Sequence, residues 1–303
     1  MRSDDGRVLI PLAIVATALA FGVRALAEPQ AAAATQLTIT AAARAVRPGE
    51  LVVLTVTAPN DLVLVKARAF ARDLPAFAVD GKTWRILVGI DLETAPRTYS
   101  VDISAGDHPV SHAMHRLVVV PRTFRTRTLT VDEAFVNPPA EALDRIARET
   151  AELNELWAHP SARKLWEGPF VRPVPDAANS AFGTRSILNG QPRSPHSGAD
   201  FNSAAGTPIK APNGGRVVLA GDRYFTGNTV MIDHGLTLFS LFAHLSEIQV
   251  KVGEVVSAGD IVGKVGATGR VTGPHLHWSV RVNGARIDPL SLLSVLGSDG
   301  GHP

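Results

Sequence analysis

Ten histidines are spread along 303 residues, and two of them, His275 and His277, stand one residue apart in the stretch GPHLHW. Successive side chains of an extended strand leave on opposite faces. His275, His277, Ser279 and Arg281 therefore share one face, and Leu276, Trp278, Val280 and Val282 the other. The apolar face builds a core, so the two imidazoles project together into whatever cleft the sheet lines. A second stretch, SPHSGADFN, holds His196 and Asp200, with Gly198 between them expected to let the backbone bend so that both turn toward one point. A third, LFAHL, sets His244 directly after an apolar strand.

These side chains suit one chemistry. A catalytic metal site usually has three nitrogen or oxygen protein ligands and an open position for water, whose pKa the metal lowers. His196, Asp200 and one of the HLH histidines complete such a set, and the residues alone leave open which one. No cysteine competes, and no H-E-x-x-H helix is present. Peptide hydrolysis also needs groups that move protons and stabilise a tetrahedral oxyanion, which His244 and the other HLH histidine can supply. The remaining histidines read otherwise. His234, in IDHG, is expected to be a solvated turn residue, and His108, His112 and His115 to be solvated in a hairpin loop, Pro109 arguing against a helix. Asn228 and Tyr224, in the loop before the strand that ends in His234, are candidates for lining a substrate groove.

The elements that must position this set change character along the chain. Over residues 37–131, short runs rich in Val, Ile, Leu and Thr recur between turn signals such as RPGE and VDGK, and RTYSVDIS alternates with period two. The pattern predicts an Ig-like β-sandwich. Residues 132–170 are expected to be a helical connector: Asn137 caps, the following Pro-Pro pair starts the helix, and Leu143, Ile146, Leu153 and Leu156 form a stripe that Pro160 ends. Residues 171–295 return to glycine-rich strands and hairpins with almost no helix, leaving 296–303 as a tail. Within them VKVGEVVSAGDIVGKVGATG is similar to the folded-over β-ribbon of lipoyl-type modules.

FGTRSILNG with RSPHSGADF, MIDHG with LFAHL, and GATGRVTGPHLHWSVRVNG together resemble the M23 family of zinc metallopeptidases, of the lysostaphin and LytM type, which cut the peptide bridges of bacterial peptidoglycan. The resemblance covers about residues 180 to 290, with motifs in order, spacing and flanking glycines. It implies an antiparallel β-sheet peptidase domain with Zn2+ held by His196, Asp200 and His277, and His244 and His275 as the unliganded catalytic pair. Peptidoglycan stem or bridge peptides would be the substrate. The alternative is a catalytically silent wall-binding protein or amidase activator. Such relatives typically lack metal ligands, whereas this chain keeps all three.

Composition narrows the setting. With 45% hydrophobic residues the chain can bury a core in each of two domains, and 30 basic against 28 acidic side chains leave a charge of +2. There is no basic block with interleaved aromatics, which excludes nucleic acid as a partner. VLIPLAIVATALAFGV behind Arg2 and Arg7, followed by Ala25-Leu26-Ala27, reads as a signal peptide over 1–27, with a lead-in over 28–36. The expected location is exported, in a Gram-negative periplasm or secreted. Membrane attachment is expected only if that segment stays uncleaved.

Overall fold

The run LVVLTVT at 51–57 begins with four apolar residues, where a half-exposed strand would alternate. The computed structural model, which describes residues 36–106, 110–130, 133, 136–178 and 182–297, shows why. Leu51 and Val53 enter one core, whereas Val52, Leu54 and Val56 enter another. This strand is the wall between two lobes of one mainly β unit.

The first lobe holds β1 (Thr38–Ala43), β2 (Leu51–Thr57), β3 (Val65–Ala69), β4 (Arg72–Leu74), β5 (Ala76–Ala78), β6 (Thr83–Gly89), β7 (Thr98–Ala105) and β8 (Ser111–Val118). They form two four-stranded sheets, β1-β2-β6-β5 and β4-β3-β7-β8, over a core that includes Ile86, Val88, Val101 and Leu117. β8 stands where a hairpin loop was expected. It pairs along its length with β7, His112 opposite Ser104 and His115 opposite Val101. Three residues apart on a strand, the two imidazoles leave on opposite faces. His108, like the signal-peptide reading, falls outside the described residues.

The second lobe follows β9 (Thr126–Leu129) and α1 (Ala140–Ala158) and contains β10 (Arg185–Leu188), β11 (Gln191–Pro192), β12 (Gly198–Phe201), β13 (Pro208–Lys210), β14 (Gly215–Arg223), β15 (Gly227–Gly235), β16 (Leu238–Ile248), β17 (Val255–Val256), β18 (Ile261–Val265), β19 (Leu276–Val282), β20 (Ala285–Ile287) and α2 (Pro289–Leu296). Its spine is the sheet β12-β19-β16-β15-β14-β17, with β18 also paired to β16 and β20 to β19. Trp278, Val280 and Val282 line its core. α2 was not anticipated, although Asp288 followed by Pro289 is a start signal: the Asp288 carboxylate accepts from the Leu290 N–H, and proline suits the first turn.

The connector differs from expectation at its ends. α1 starts after Pro139 with no side-chain cap, and the Asn137 amide instead donates to Glu133. Leu153, Leu156 and Trp157 pack on Leu219, Met231 and Phe239 of the sheet, but Leu143, in the first turn, is 52% exposed. Beyond Pro160 the chain is extended rather than helical. Trp166 and Phe170 enter the second core, and the Leu165 N–H donates to the His234 carbonyl at 2.9 Å.

Leu51, Val53 and Leu87 of the sandwich belong to the same apolar cluster as Trp278 and Val282. Around them runs a polar seam. Glu50, 0% exposed, and Asp288, 1% exposed, share Arg44, which bonds to them at 2.8 and 2.7 Å. Arg122 adds a second guanidinium to both carboxylates. The Asp288 N–H donates to the Gly49 carbonyl at 2.7 Å, the Leu51 N–H to Ser291 Oγ at 2.9 Å, and the Asn283 amide to the Leu87 carbonyl at 2.6 Å. Arg286 reaches Asp91 and Glu93 at 2.8 and 2.7 Å. Buried charges survive only when paired and hydrogen-bonded, and these are paired across the two lobes.

His234 corrects another expectation. The turn falls at Leu236 and Thr237, which have positive φ, so His234 remains inside β15 and is fully buried. Its Nδ1 lies 2.7 Å from the Gly214 carbonyl and its Nε2 3.0 Å from Ser240 Oγ. Burial pushes its pKa down to about 4 from 6.5. The folded state therefore binds fewer protons than the unfolded one between those values, and stability is lost as pH falls from about 6.5 through 4. The loss from this group is on the order of 3 kcal/mol. In denaturant titrations of the metal-free chain, His234→Gln should flatten the decline over that window; an unchanged slope would show that His234 does not set it. Among the described residues, no helix is long and apolar enough to cross a membrane.

Candidate metal centre

Three side chains converge because two strands pair. β12 and β19 run antiparallel with Asp200 opposite His277 and Gly198 opposite Ser279. His196, just before β12, is held by a reciprocal backbone pair: its N–H donates to the Thr184 carbonyl at 3.0 Å, and its carbonyl accepts from the Gly183 N–H at 2.7 Å. Counted along an extended chain, His196, Gly198 and Asp200 leave on one side. Gly198 does not supply a bend. A Cβ there would lie 2.7 Å from Cε1 and Nε2 of the His277 ring and 2.5 Å from the Trp278 carbonyl, so glycine is required because the imidazole lies across it.

The donor atoms face one another. His196 Nε2 is 2.9 Å from His277 Nδ1 and 3.1 Å from Asp200 Oδ1, and His277 Nδ1 is 2.9 Å from the same oxygen. Metal–ligand bonds of ~2.0–2.1 Å in a tetrahedron place the ligand atoms about 3.3 Å apart, so a small outward movement admits an ion. Two imidazole nitrogens pointing at each other beside a carboxylate are a donor set that a cation satisfies. These are the residues among those described that could hold a metal.

The surroundings fix protonation states. Burial would raise the Asp200 carboxyl, but its bonds to His196 and His277 hold it well below the usual carboxylate range. The His277 pKa is lowered, mainly by burial, and its Nε2 sits 2.8 Å from Ser279 Oγ. With Nε2–H donating to that hydroxyl, Nδ1 keeps its lone pair for the cluster. Such supporting bonds typically matter 10–100-fold to metal affinity. Ser279→Ala is accordingly expected to weaken metal binding by roughly that factor in chelator competition, and unchanged affinity would remove Ser279 from the site.

Two further imidazoles border the triad. The His244 ring centroid is 4.9 Å from that of His275 and 6.0 Å from that of His277. His244 does not continue the ladder of β16. Its φ is +67°, a conformation uncommon outside glycine, and its N–H donates sideways to the Thr226 carbonyl at 2.8 Å. Its Nδ1 donates to the Thr268 carbonyl at 3.0 Å. Burial first, and then the neighbouring histidines, push its pKa down to about 4. The neutral ring with hydrogen on Nδ1 leaves Nε2 as an acceptor. His275 donates from Nδ1 to the Gly273 carbonyl at 2.9 Å and turns Nε2 to within 3.9 Å of Asp200 Oδ1.

Asn228 lies at the start of β15 and Tyr224 in the turn before it. The Asn228 amide donates to the Leu245 carbonyl at 3.1 Å and its N–H to Thr268 Oγ1 at 2.9 Å, tying together the segments that carry His244. The Tyr224 N–H donates to Glu149 of α1, and its ring packs against Phe225 and beneath Arg145. Ser279 was legible only as a neighbour on the HLH face. Thr268 gave no sequence signal: its carbonyl orients His244, and its hydroxyl also donates to Leu245 at 2.8 Å.

The model of peptidase family M23 matches residues 194–289, which contain all five of these side chains. Peptidoglycan DD-endopeptidase ShyA of Vibrio cholerae is 44% identical over 96 residues, covering 32% of this chain and 22% of that relative. DD-carboxypeptidase/endopeptidase Mpg of Neisseria meningitidis is 41% identical over 97 residues, covering 32% and 22%. The chain thus spans about a fifth of the length of these curated relatives. A solved Pseudomonas aeruginosa structure assigned to peptidase M23 is 34% identical and covers 83% of this chain and 96% of its own, with a TM-score of 0.65. That similarity extends through nearly the whole of the second protein and well beyond the matched motifs, and it shows that the present chain belongs to peptidase family M23.

Proposed function

We propose that the chain is an exported zinc endopeptidase that hydrolyses peptide cross-links of bacterial peptidoglycan, at the D,D bond that its curated relatives' names indicate. The observation that carries this reading is the meeting of three metal-capable donor atoms with two further imidazoles at one point. His196, Asp200 and His277 would hold the ion. Two imidazoles and a carboxylate, without cysteine, suit zinc in its catalytic form. When bound, zinc supplies Lewis acidity toward the scissile carbonyl and a water acidified to a pKa near 7.

The chain's own groups do the rest. His244 presents an unprotonated Nε2 because Thr268 engages its Nδ1–H, so it can take a proton from the attacking water and return it to the leaving amine. His275, whose Nε2 faces the same space, can hydrogen-bond the developing oxyanion. Asp200 stays ionised and offsets the positive charge gathered there. Export rests on the apolar segment near the N-terminus and places the enzyme in the periplasm or outside the cell. Mass spectrometry of fragments released from purified peptidoglycan by the zinc-loaded chain should reveal new peptide termini at a D,D cross-link. Their absence, from a folded and zinc-bound protein, would favour a silent wall-binding role.

A further inference from the structure

The two imidazoles of the triad are supported differently. The His277 ring is held from behind, its Nε2 2.8 Å from Ser279 Oγ. The second nitrogen of His196, Nδ1, is buried with no hydrogen-bond partner among the described residues. A metal-binding imidazole is usually oriented through that second nitrogen, so the His196 ring takes its position from its own main chain. Both main-chain groups are engaged by one short segment: the carbonyl accepts from the Gly183 N–H at 2.7 Å, and the N–H donates to the Thr184 carbonyl at 3.0 Å. Where residues 182–184 sit therefore decides where the ring sits.

That segment is placed by the sandwich. Phe182, 3% exposed, rests its ring on Gly49, two residues before β2, so closely that a Cβ on Gly49 would lie 2.3 Å from Phe182 Cε1. Gly49 is itself pinned, its N–H donating to the Ile90 carbonyl at 2.9 Å and its carbonyl accepting from the Asp288 N–H at 2.7 Å. Phe124 meets Phe182 edge-on with ring centroids 6.2 Å apart. The Arg122 guanidinium lies 4.8 Å from the centre of the first ring and 5.5 Å from that of the second, and it donates to the Pro48 carbonyl at 3.0 Å. The next residue is as tightly fitted: a Cβ on Gly183, whose φ is +78°, would lie 2.0 Å from Phe124 Cδ1.

Two positions without a Cβ, one in each lobe, thus bring aromatic rings against backbone with no slack, and close-packed contacts of this kind transmit displacement. We propose that Phe182 is a positioning residue for the metal ligand His196, a strut through which the sandwich sets the geometry of the metal centre. Phe182 supplies no donor atom; it acts through the main chain of residues 183 and 184. The inference rests on the reading of His196 as a ligand and adds that the metal affinity of the peptidase lobe depends on a contact made in the other lobe.

Metal binding, read without turnover, tests it. Zinc affinity of the full chain would be measured by chelator competition, and the visible spectrum of the cobalt(II)-loaded chain would report coordination geometry. Phe182→Ala should bind zinc roughly 10–100-fold more weakly and change the cobalt spectrum at saturation, while Phe182→Leu keeps part of the affinity. Gly49→Ala, which pushes the ring from the sandwich side, should weaken binding in the same way, and it decides the matter if Phe182→Ala shows no cooperative melt. Val101→Ala controls for stability alone: it opens the sandwich core and should lower the Tm with wild-type affinity and spectrum. Wild-type affinity in both Phe182→Ala and Gly49→Ala, or an equal loss in Val101→Ala, would overturn the proposal. His196→Ala, measured alongside, separates the two readings. If it loses the metal while Phe182→Ala keeps it, only the strut falls; if it binds as tightly as wild type, the ligand assignment falls and the strut's role with it.

Discussion

Excising residues 37–131 is expected to leave an unfolded remainder rather than a trimmed peptidase. The deletion removes Leu51, Val53 and Leu87 from the cluster that also holds Trp278 and Val282, and each such side chain contributes about 1.5–3 kcal/mol when fully buried. It also removes Arg44 and Arg122, the cations paired with Asp288, and β9, the partner of β10 beside His196. Three such apolar side chains together are a large fraction of the ~5–15 kcal/mol that holds a typical domain together. Circular dichroism and thermal melting of the shortened chain should show no cooperative transition. A folded, metal-binding remainder would show that the sandwich is an attached module instead of part of the peptidase core. Leu51→Asp in the full chain offers a milder check and should lower its Tm markedly.

His244→Ala is expected to retain the metal and lose hydrolysis by about 10²–10⁴-fold, the usual worth of a positioned acid–base group. The ring supplies none of the three converging donor atoms, yet its centroid lies 4.9 Å from that of His275. Its orientation is enforced by an N–H donated to Thr226 and an Nδ1–H donated to Thr268. His275→Ala should behave similarly. The double variant should be little worse than either single one, because two groups serving one transition state do not contribute additively. Metal content and kcat/KM measured on the same preparations decide the matter. Loss of metal in His244→Ala would make the residue a ligand or a structural support, and near-normal kcat/KM would remove it from the reaction.

Much of this centre was legible before folding, and the reason is local. His275 and His277 share a face because a strand repeats every two residues, and His196 and Asp200 share one by the same rule. The pairing of Asp200 with His277 spans 77 positions, and no local pattern contains it. The positive φ of His244 was hidden too, since it arises where Gly227 and Gly269 approach so closely that a Cβ on Gly227 would meet Thr268 Oγ1 at 2.3 Å. His234 was misplaced because its turn comes two residues later than the glycine that follows it suggests. β2 announced burial on both faces through LVVL, but nothing in that run names the second core as belonging to the peptidase lobe. α2 was overlooked although Asp288-Pro289 marked its start, because an apolar segment of only eight residues is too short for its period to separate a helix from the strands expected there.

On the proposed reading, His196, Asp200 and His277 hold the ion on which hydrolysis depends. Zinc titrated into the metal-stripped full chain, with metal binding and release of peptidoglycan fragments followed in the same samples, tests it directly. Activity should rise in proportion to bound zinc and stop at about one equivalent per chain, as a single three-ligand site requires, while His277→Ala should gain neither tight zinc nor activity. Hydrolysis by the stripped protein, or a His277→Ala chain that keeps both its zinc and its activity, would rule out these three residues as the holders of a catalytic ion.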